Sequence, residues 1–333
     1  MALHMVLLRC AAATGSVQGA SLRATDMNLR LQALRLATPP PVLPHRSRLL
    51  SIRASEDDES PPSYPPGYVP PIVWEYNEQE GVMGAVNRPT AGARSNKHLP
   101  VGRHQLQLYS LGTPNGVKVT ILLEELNEAL GLEYDAWKIS IFDLDQFGSG
   151  FVKVNPNSKI PAMMDYAHEP PIRIFESGNI LKYVAERHEM FIPTGLREKT
   201  ECFNWLFWQV GSAPYLGGGF GHFYVYAPMK IEYAIDRFAM ETKRQLDLLD
   251  KQLDGKSYLC GDEYTIADMA VWPWIKALSD GYKADEFLSL REYVQLNAWV
   301  ERVGKRPAVQ RGVRVNGFGR DAIEERHSRA DFD

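Results

Sequence analysis

The chain has 333 residues, 44% of them hydrophobic and 23% charged, a balance that predicts a globular protein with a sizeable core. A formal net charge of −4 leaves no basic surplus for a phosphate backbone, and no apolar run reaches the roughly 18–20 residues that span a bilayer, so neither nucleic acid nor membrane is expected as a partner. Three cysteines make neither a disulfide framework nor a zinc-ligand pattern, and no metal is expected.

Residues 1–55 hold seven arginines, no lysine and one acid, Asp26. An acid-poor, arginine-rich start of this length predicts an organelle transit peptide, chloroplast ahead of mitochondrion, with processing near Ile52-Arg53-Ala54-Ser55. A disordered tail is the alternative. Without that segment the chain carries about −10, so a small anionic ligand must be held by local donors and not by the overall field. Residues 56–104 predict a linker and N-terminal arm. The run Pro-Pro-Ser-Tyr-Pro-Pro-Gly-Tyr-Val-Pro-Pro over 61–71 forms neither helix nor central strand, while Trp74, Val82, Met83 and Val86 predict an arm that packs on the body.

Regular elements begin at 105. Residues 105–110 alternate with period two and predict a strand, and Gly112-Thr113-Pro114-Asn115-Gly116 predicts the turn after it. Apolar residues at 117, 121, 122 and 126 mark an amphipathic helix over 117–130. Strands follow at 133–139, 160–165 and 172–175, with a short helical or irregular stretch at 145–154. A helix over about 176–187 has Ser177 near its cap. The order β-α-β-α-β-β-α fills 105–190, with Pro161 at the entrance to the third strand.

From 197 to 316 the strand signal is gone. Helical periodicity over 197–210, 228–254, 265–278 and 290–304 predicts an all-helical domain, and 317–333 a C-terminal tail. Thr265-Ile266-Ala267-Asp268 is a capping box ahead of Met269-Ala270-Val271-Trp272-Pro273-Trp274, a structural feature that needs no catalytic explanation. The run Gly217-Gly218-Gly219-Phe220-Gly221-His222 fails as a phosphate loop, having no strand before it and no Lys-Ser/Thr after it. It predicts a glycine-rich loop carrying aromatics over a pocket, with His222 packed in preference to acting as a base.

Six segments in order carry a resemblance: Thr113-Pro114-Asn115-Gly116, Asn155 to Ala162, Phe175-Glu176-Ser177-Gly178, Asn204 to Gln209, Tyr233 to Phe238, and the capping box. From about Trp74 to Asn316 the chain resembles the nu-class glutathione transferases, the bacterial disulfide-bond oxidoreductases related to the fungal nitrogen-regulatory transferase-like protein. The resemblance implies an α/β thioredoxin-like N-terminal domain, an all-α C-terminal domain and a homodimer. It also implies glutathione as co-substrate, used in twos or as its disulfide to reduce small disulfides. Conjugation to electrophilic substrates, organic peroxide reduction, and non-enzymatic glutathione binding in regulation are the competing functions.

The first turn holds no cysteine, so the nucleophile must arrive with the substrate. A free thiol titrates near 8.5, and lowering it by two units takes roughly 2.7 kcal/mol of preferential thiolate stabilisation. The Thr113 hydroxyl and the Asn115 amide, backbone or side chain, are neutral donors at a helix N-terminus. An N-cap pair without a ligand is the alternative, and Tyr109 is the competing sulfur donor. By resemblance, Asn87 of the arm joins Thr113 and Asn115 at the sulfur. Pro161 is expected to be cis, leaving the Ile160 backbone to pair with the cysteinyl peptide. Glu176 and Ser177 suit the γ-glutamyl end, Lys159 the glycyl carboxylate with Gln146 in the same groove, and Arg237 the second tripeptide. For Lys159 and Arg237 a solvated surface charge is the alternative. Cys202 and Cys260 read as structural thiols.

Overall fold

The computed structural model describes residues 69–76 and 84–333, so the transit-peptide and processing readings lie outside the described residues. Strand β1 (Leu106–Ser110) runs parallel to β2 (Asp135–Lys138) and antiparallel to β3 (Ala162–Asp165), which pairs with β4 (Ile172–Phe175); the sheet order is β2-β1-β3-β4. Helix α1 (Pro114–Leu130) joins β1 to β2, α2 (Ser149–Val154) precedes β3, and α3 (Ser177–His188) follows β4.

The period-two pattern of β1 predicts one dry and one wet face, yet all five of its residues are buried. Leu106 and Leu108 join the core formed with α1 and α3, while Tyr109 packs with Phe151 and Val154 of α2 on the other face. That second face is closed by the arm. Ser95 bridges to Gly148, Arg94 N–H donates to the Phe147 carbonyl at 2.8 Å, and Lys97 pairs with Asp145 at 2.5 Å. Gln107, enclosed beneath it, uses its full amide capacity. It donates to Asp135 and the His104 carbonyl at 2.6 Å and accepts from Trp137 and Gly102 at 2.8 Å. A buried amide satisfied this completely costs little and fixes one register for the arm. The packing expected of Trp74 is not found: its side chain is exposed, and the arm packs through residues nearer the strand.

The helical half contains α4 (Leu196–Pro214), α5 (Glu232–Gln252), α6 (Ile266–Asp280), α7 (Val294–Gly304) and α8 (Pro307–Gly312). The capping box of α6 is formed as expected. Its Asp268 also accepts from Leu259 N–H and the Trp299 indole at 2.9 Å, and burial pushes its carboxyl above the ordinary range. The glycine-rich run is not a loop. Residues Tyr215–Tyr226 continue α4 as a π-helix. Glycine disfavours helix on propensity, but here it supplies space: a Cβ on Gly217, Gly219 or Gly221 would come within 2.5, 2.3 and 2.5 Å of the rings of Trp274, Phe238 and Tyr282. His222 meets Phe223 edge to face.

Residues 317–333 return to the sheet. Ala136 of β2 and Arg326 exchange both backbone hydrogen bonds, at 2.8 and 3.0 Å. The Arg326 side chain is fully buried: Nε reaches Glu124 at 3.2 Å, Nη1 reaches the Tyr134 carbonyl at 2.8 Å and Glu133 at 2.6 Å, and the guanidinium lies 3.9 Å over the Tyr134 ring. Arg306 forks onto Glu125, and Arg311 onto Glu124 and Glu128, so the C-terminal residues clasp α1 along one flank. The clasp reaches the first turn, where Gly112 N–H donates to the Asn316 carbonyl at 2.7 Å.

Candidate active site

Helix α1 begins at Pro114, three residues before the apolar periodicity, because proline at the first helical position has the required φ and lacks an N–H that would go unused. Gly116 is required in this first turn, since a Cβ there would lie 2.0 Å from the Leu111 carbonyl oxygen. Thr113 is the N-cap by backbone geometry, yet its hydroxyl makes no capping bond. Asn115 does not cap either: its Oδ1 accepts from the Trp274 indole N–H at 3.0 Å. The pair is therefore not spent on holding the helix.

Asn115 lines a cavity of about 290 Å³ together with Lys118, Glu176, Ser177, Val210, Pro214, Gly218 and Trp274. Its floor comes from the starts of α1 and α3 and its far wall from the helical half. Glu176, at the N-cap of α3, has φ 70° and ψ 119°, a conformation that non-glycine residues rarely adopt and that recurs at ligand-holding positions. It aims Ser177 and the free amides of the first turn of α3 at the cavity, where an anion is favoured.

Lys118 escaped the sequence reading. It is buried on the apolar face of α1, donating to Gln209 Oε1 at 2.5 Å and to Ser177 Oγ at 3.3 Å. Because the serine oxygen accepts there, its own proton is available to a ligand carboxylate. Burial brings the Lys118 ammonium down to about 7 from 10.5, opposed by the Glu176 carboxylate. The unfolded lysine keeps its proton up to about pH 10.5, so between the two values the unfolded chain binds more protons and stability rises with pH. Lys118→Met is expected to flatten that rise; urea unfolding of the ligand-free protein at pH 7 and pH 9.5 measures it, and an unchanged slope contradicts the assignment.

The remaining expected residues fall into two groups. Lys159 and Asn87 meet, Nζ to Oδ1 at 2.5 Å, so arm and loop touch beside β3; among the described residues Asn87 bonds to neither Thr113 nor Asn115. The loop is shaped by Asn155, whose amide donates to the Lys159 carbonyl at 2.6 Å and accepts from Asn157 N–H at 2.9 Å. The Ile160–Pro161 peptide is cis, and the Ile160 backbone has no hydrogen-bond partner among the described residues. Gln146 is buried with its Oε1 unpartnered among them. Arg237 is exposed on α5, and its side chain hydrogen-bonds to no described residue; it is adjacent in sequence to Phe238, which packs on Gly219.

The competing sulfur donor drops out. Tyr109 is buried with its hydroxyl given to the Pro100 carbonyl at 2.7 Å, and burial pushes its pKa far up, leaving no thiolate donor there. Cys202 and Cys260 sit in the helical core beside the N-terminus of α6. Cys260 donates to Cys202, which lowers the Cys202 thiol and raises Cys260. No cluster of three or more potential metal ligands occurs among the described residues, and no helix among them is long and apolar enough to cross a membrane.

The descriptions "Glutathione S-transferase, N-terminal domain" and "Glutathione S-transferase, C-terminal domain" match residues 104–186 and 232–302. The Escherichia coli protein named disulfide-bond oxidoreductase YghU is 57% identical over 274 residues, covering 80% of this chain and 95% of that one. The crystal structure of glutathione transferase YghU from Streptococcus pneumoniae, complexed with glutathione, superposes with a TM-score of 0.73 at 53% identity, covering 75% of this chain and 98% of that one. A glutathione transferase from Pseudomonas putida, solved with one glutathione disulfide per subunit, gives 0.62 at 35% identity, covering 66% and 95%. These relatives are bacterial, and bacteria have no plastid or mitochondrion. That overturns the organelle localisation, chloroplast or mitochondrial, expected from the arginine-rich start. Composition alone misled there, because an acid-poor, arginine-rich stretch carries no address by itself. From the sheet order, the cis-proline loop, the first turn and these matches, the chain belongs to the glutathione S-transferase family, as an enzyme of the branch that holds the disulfide-bond oxidoreductases.

Proposed function

We propose that this enzyme reduces small disulfides with glutathione, holding two glutathione molecules or one glutathione disulfide in each site of a homodimer. The observation that carries the reading is Thr113: an N-cap residue whose hydroxyl caps nothing, beside an asparagine that also does not cap, on a turn without cysteine. Both side chains have a hydrogen to give, and a thiolate is what they suit. Glu176 and Ser177 hold the γ-glutamyl end, Lys159 and Gln146 the glycyl end, and Ile160 the cysteinyl backbone. Asn87 roofs the site through its contact with Lys159, and Arg237 reaches the second tripeptide. The names of the relatives agree: one is a disulfide-bond oxidoreductase, and another holds glutathione disulfide.

The chemistry needs two exchanges. A glutathione thiolate attacks one sulfur of the substrate disulfide, forming a mixed disulfide and expelling a thiolate. A second glutathione thiolate attacks the glutathione sulfur of that mixed disulfide, giving glutathione disulfide and the second product thiolate, and water supplies the protons. No enzyme sulfur enters the cycle. The test is steady-state reduction of a dialkyl disulfide by glutathione beside conjugation of glutathione to an aromatic chloride, on one preparation. Fast disulfide turnover with feeble conjugation is expected, and is expected to survive replacement of Cys202 and Cys260 by serine. Faster conjugation overturns the reading in favour of a conjugating transferase. Saturable glutathione binding without turnover in either assay overturns it in favour of a regulatory binder.

A further inference from the structure

Asparagine offers a donor at one end of its amide and an acceptor at the other, and only the donor end stabilises a thiolate. Turned the wrong way, Asn115 would aim a carbonyl oxygen at the sulfur and oppose its ionisation. The neighbour that decides the orientation lies 159 positions downstream: the Trp274 indole N–H, 3.0 Å from Asn115 Oδ1. An indole nitrogen can only donate, so it holds the oxygen and turns the NH2 outward. That NH2 has no partner among the described residues, and Asn115 and Trp274 both line the cavity. The ring is itself fixed. It is 9% exposed, and it rests on Gly217, where a Cβ would come within 2.5 Å.

We propose that Trp274 is a positioning residue for the thiol chemistry, holding the Asn115 amide so that its NH2 faces the glutathione sulfur. This rests on the assignment of Asn115 as a sulfur donor made above. The helical half thereby sets the electrostatics of a turn in the thioredoxin-like half, and Gly217 serves the reaction by leaving room for the indole.

The experiment compares wild type with Trp274→Phe, Asn115→Ala, the double variant and Asn115→Asp. It measures disulfide turnover and the pKa of the bound glutathione thiol, read from thiolate absorbance against pH. Phenylalanine keeps the packing and removes the N–H. Loss of one orienting hydrogen bond is expected to lower turnover about tenfold and raise the thiol pKa by about one unit. KM for glutathione stays near wild type, because the γ-glutamyl contacts are untouched. In the Asn115→Ala background Trp274→Phe adds nothing, as two groups acting through one bond require. Asn115→Asp is expected to raise the thiol pKa beyond Asn115→Ala, since the indole claims one oxygen and the other faces the sulfur; this arm stands even if Trp274→Phe fails to fold. A wild-type thiol pKa in folded Trp274→Phe, an equal loss in both backgrounds, or an Asp variant no worse than Ala overturns the role of Trp274. Wild-type turnover and thiol pKa in Asn115→Ala would instead overturn the donor assignment beneath it.

Discussion

Arg326→Ala is expected to destabilise the protein by about 3–5 kcal/mol, the range found when one member of a buried ion pair is removed. The guanidinium and the Glu124 carboxylate are both fully buried, so neither can recover water when its partner goes. Burial already pushes Glu124 above the ordinary carboxyl range, and Arg326 is the strongest of the groups holding it down. Its loss also removes the stacking on Tyr134 and a bond to the Tyr134 carbonyl, while Arg311 remains at 2.9 Å. The control is Lys305→Ala in the exposed pair with Glu301, expected to leave the urea midpoint nearly unchanged because solvent screens the pair. Urea midpoints with unchanged m-values measure both; a loss below about 1 kcal/mol for Arg326→Ala contradicts the argument.

Thr113→Val and Asn115→Ala are each expected to lower disulfide turnover by about 10²–10³, the usual consequence of deleting one donor aimed at developing or localised negative charge. Replacing the side chain of an N-cap threonine ordinarily costs about 1 kcal/mol of stability. Here the hydroxyl makes no capping bond, so Thr113→Val should unfold at nearly the wild-type urea concentration. Asn115→Ala gives up only the bond to Trp274, about 1 kcal/mol. A large activity loss with little change in stability separates a sulfur donor from a helix cap. Wild-type turnover in both variants refutes the assignment, and a stability loss matching the activity loss reinstates the cap.

Much of the fold was legible in local pattern. The period-two run of β1, the start of α3 at Ser177 and the capping box of α6 each announce themselves within a few residues, because strand alternation and helix capping are short-range effects. The absence of cysteine from the first turn is equally local, and it is the feature from which the proposal of a borrowed thiol starts. Other features failed for physical reasons that can be named. Lys118 sits between Val117 and Val119, and its acceptor Gln209 lies 91 positions away, so nothing local distinguishes it from a surface lysine. Trp274 reads as core packing because its polar edge, not its area, makes the contact that matters. The glycine run predicts a loop, whereas in the π-helix it provides clearance for rings contributed by distant residues. Arg326 lies in a strongly polar stretch, where a solvated side chain is the ordinary expectation, and only tertiary closure reveals its burial.

The clasp between the C-terminal residues and α1 also bears on when the enzyme becomes competent during its synthesis. Glu124 and Arg326 are 202 positions apart, and Gly112, in the turn between β1 and α1, is tethered to Asn316. A ribosome that has delivered the whole sheet still withholds the residues that anchor this turn. The nascent thioredoxin-like half therefore waits, with the Glu124 carboxylate short of its arginine partners, until translation passes Arg326, and a chaperone that shields it is of most use in that interval.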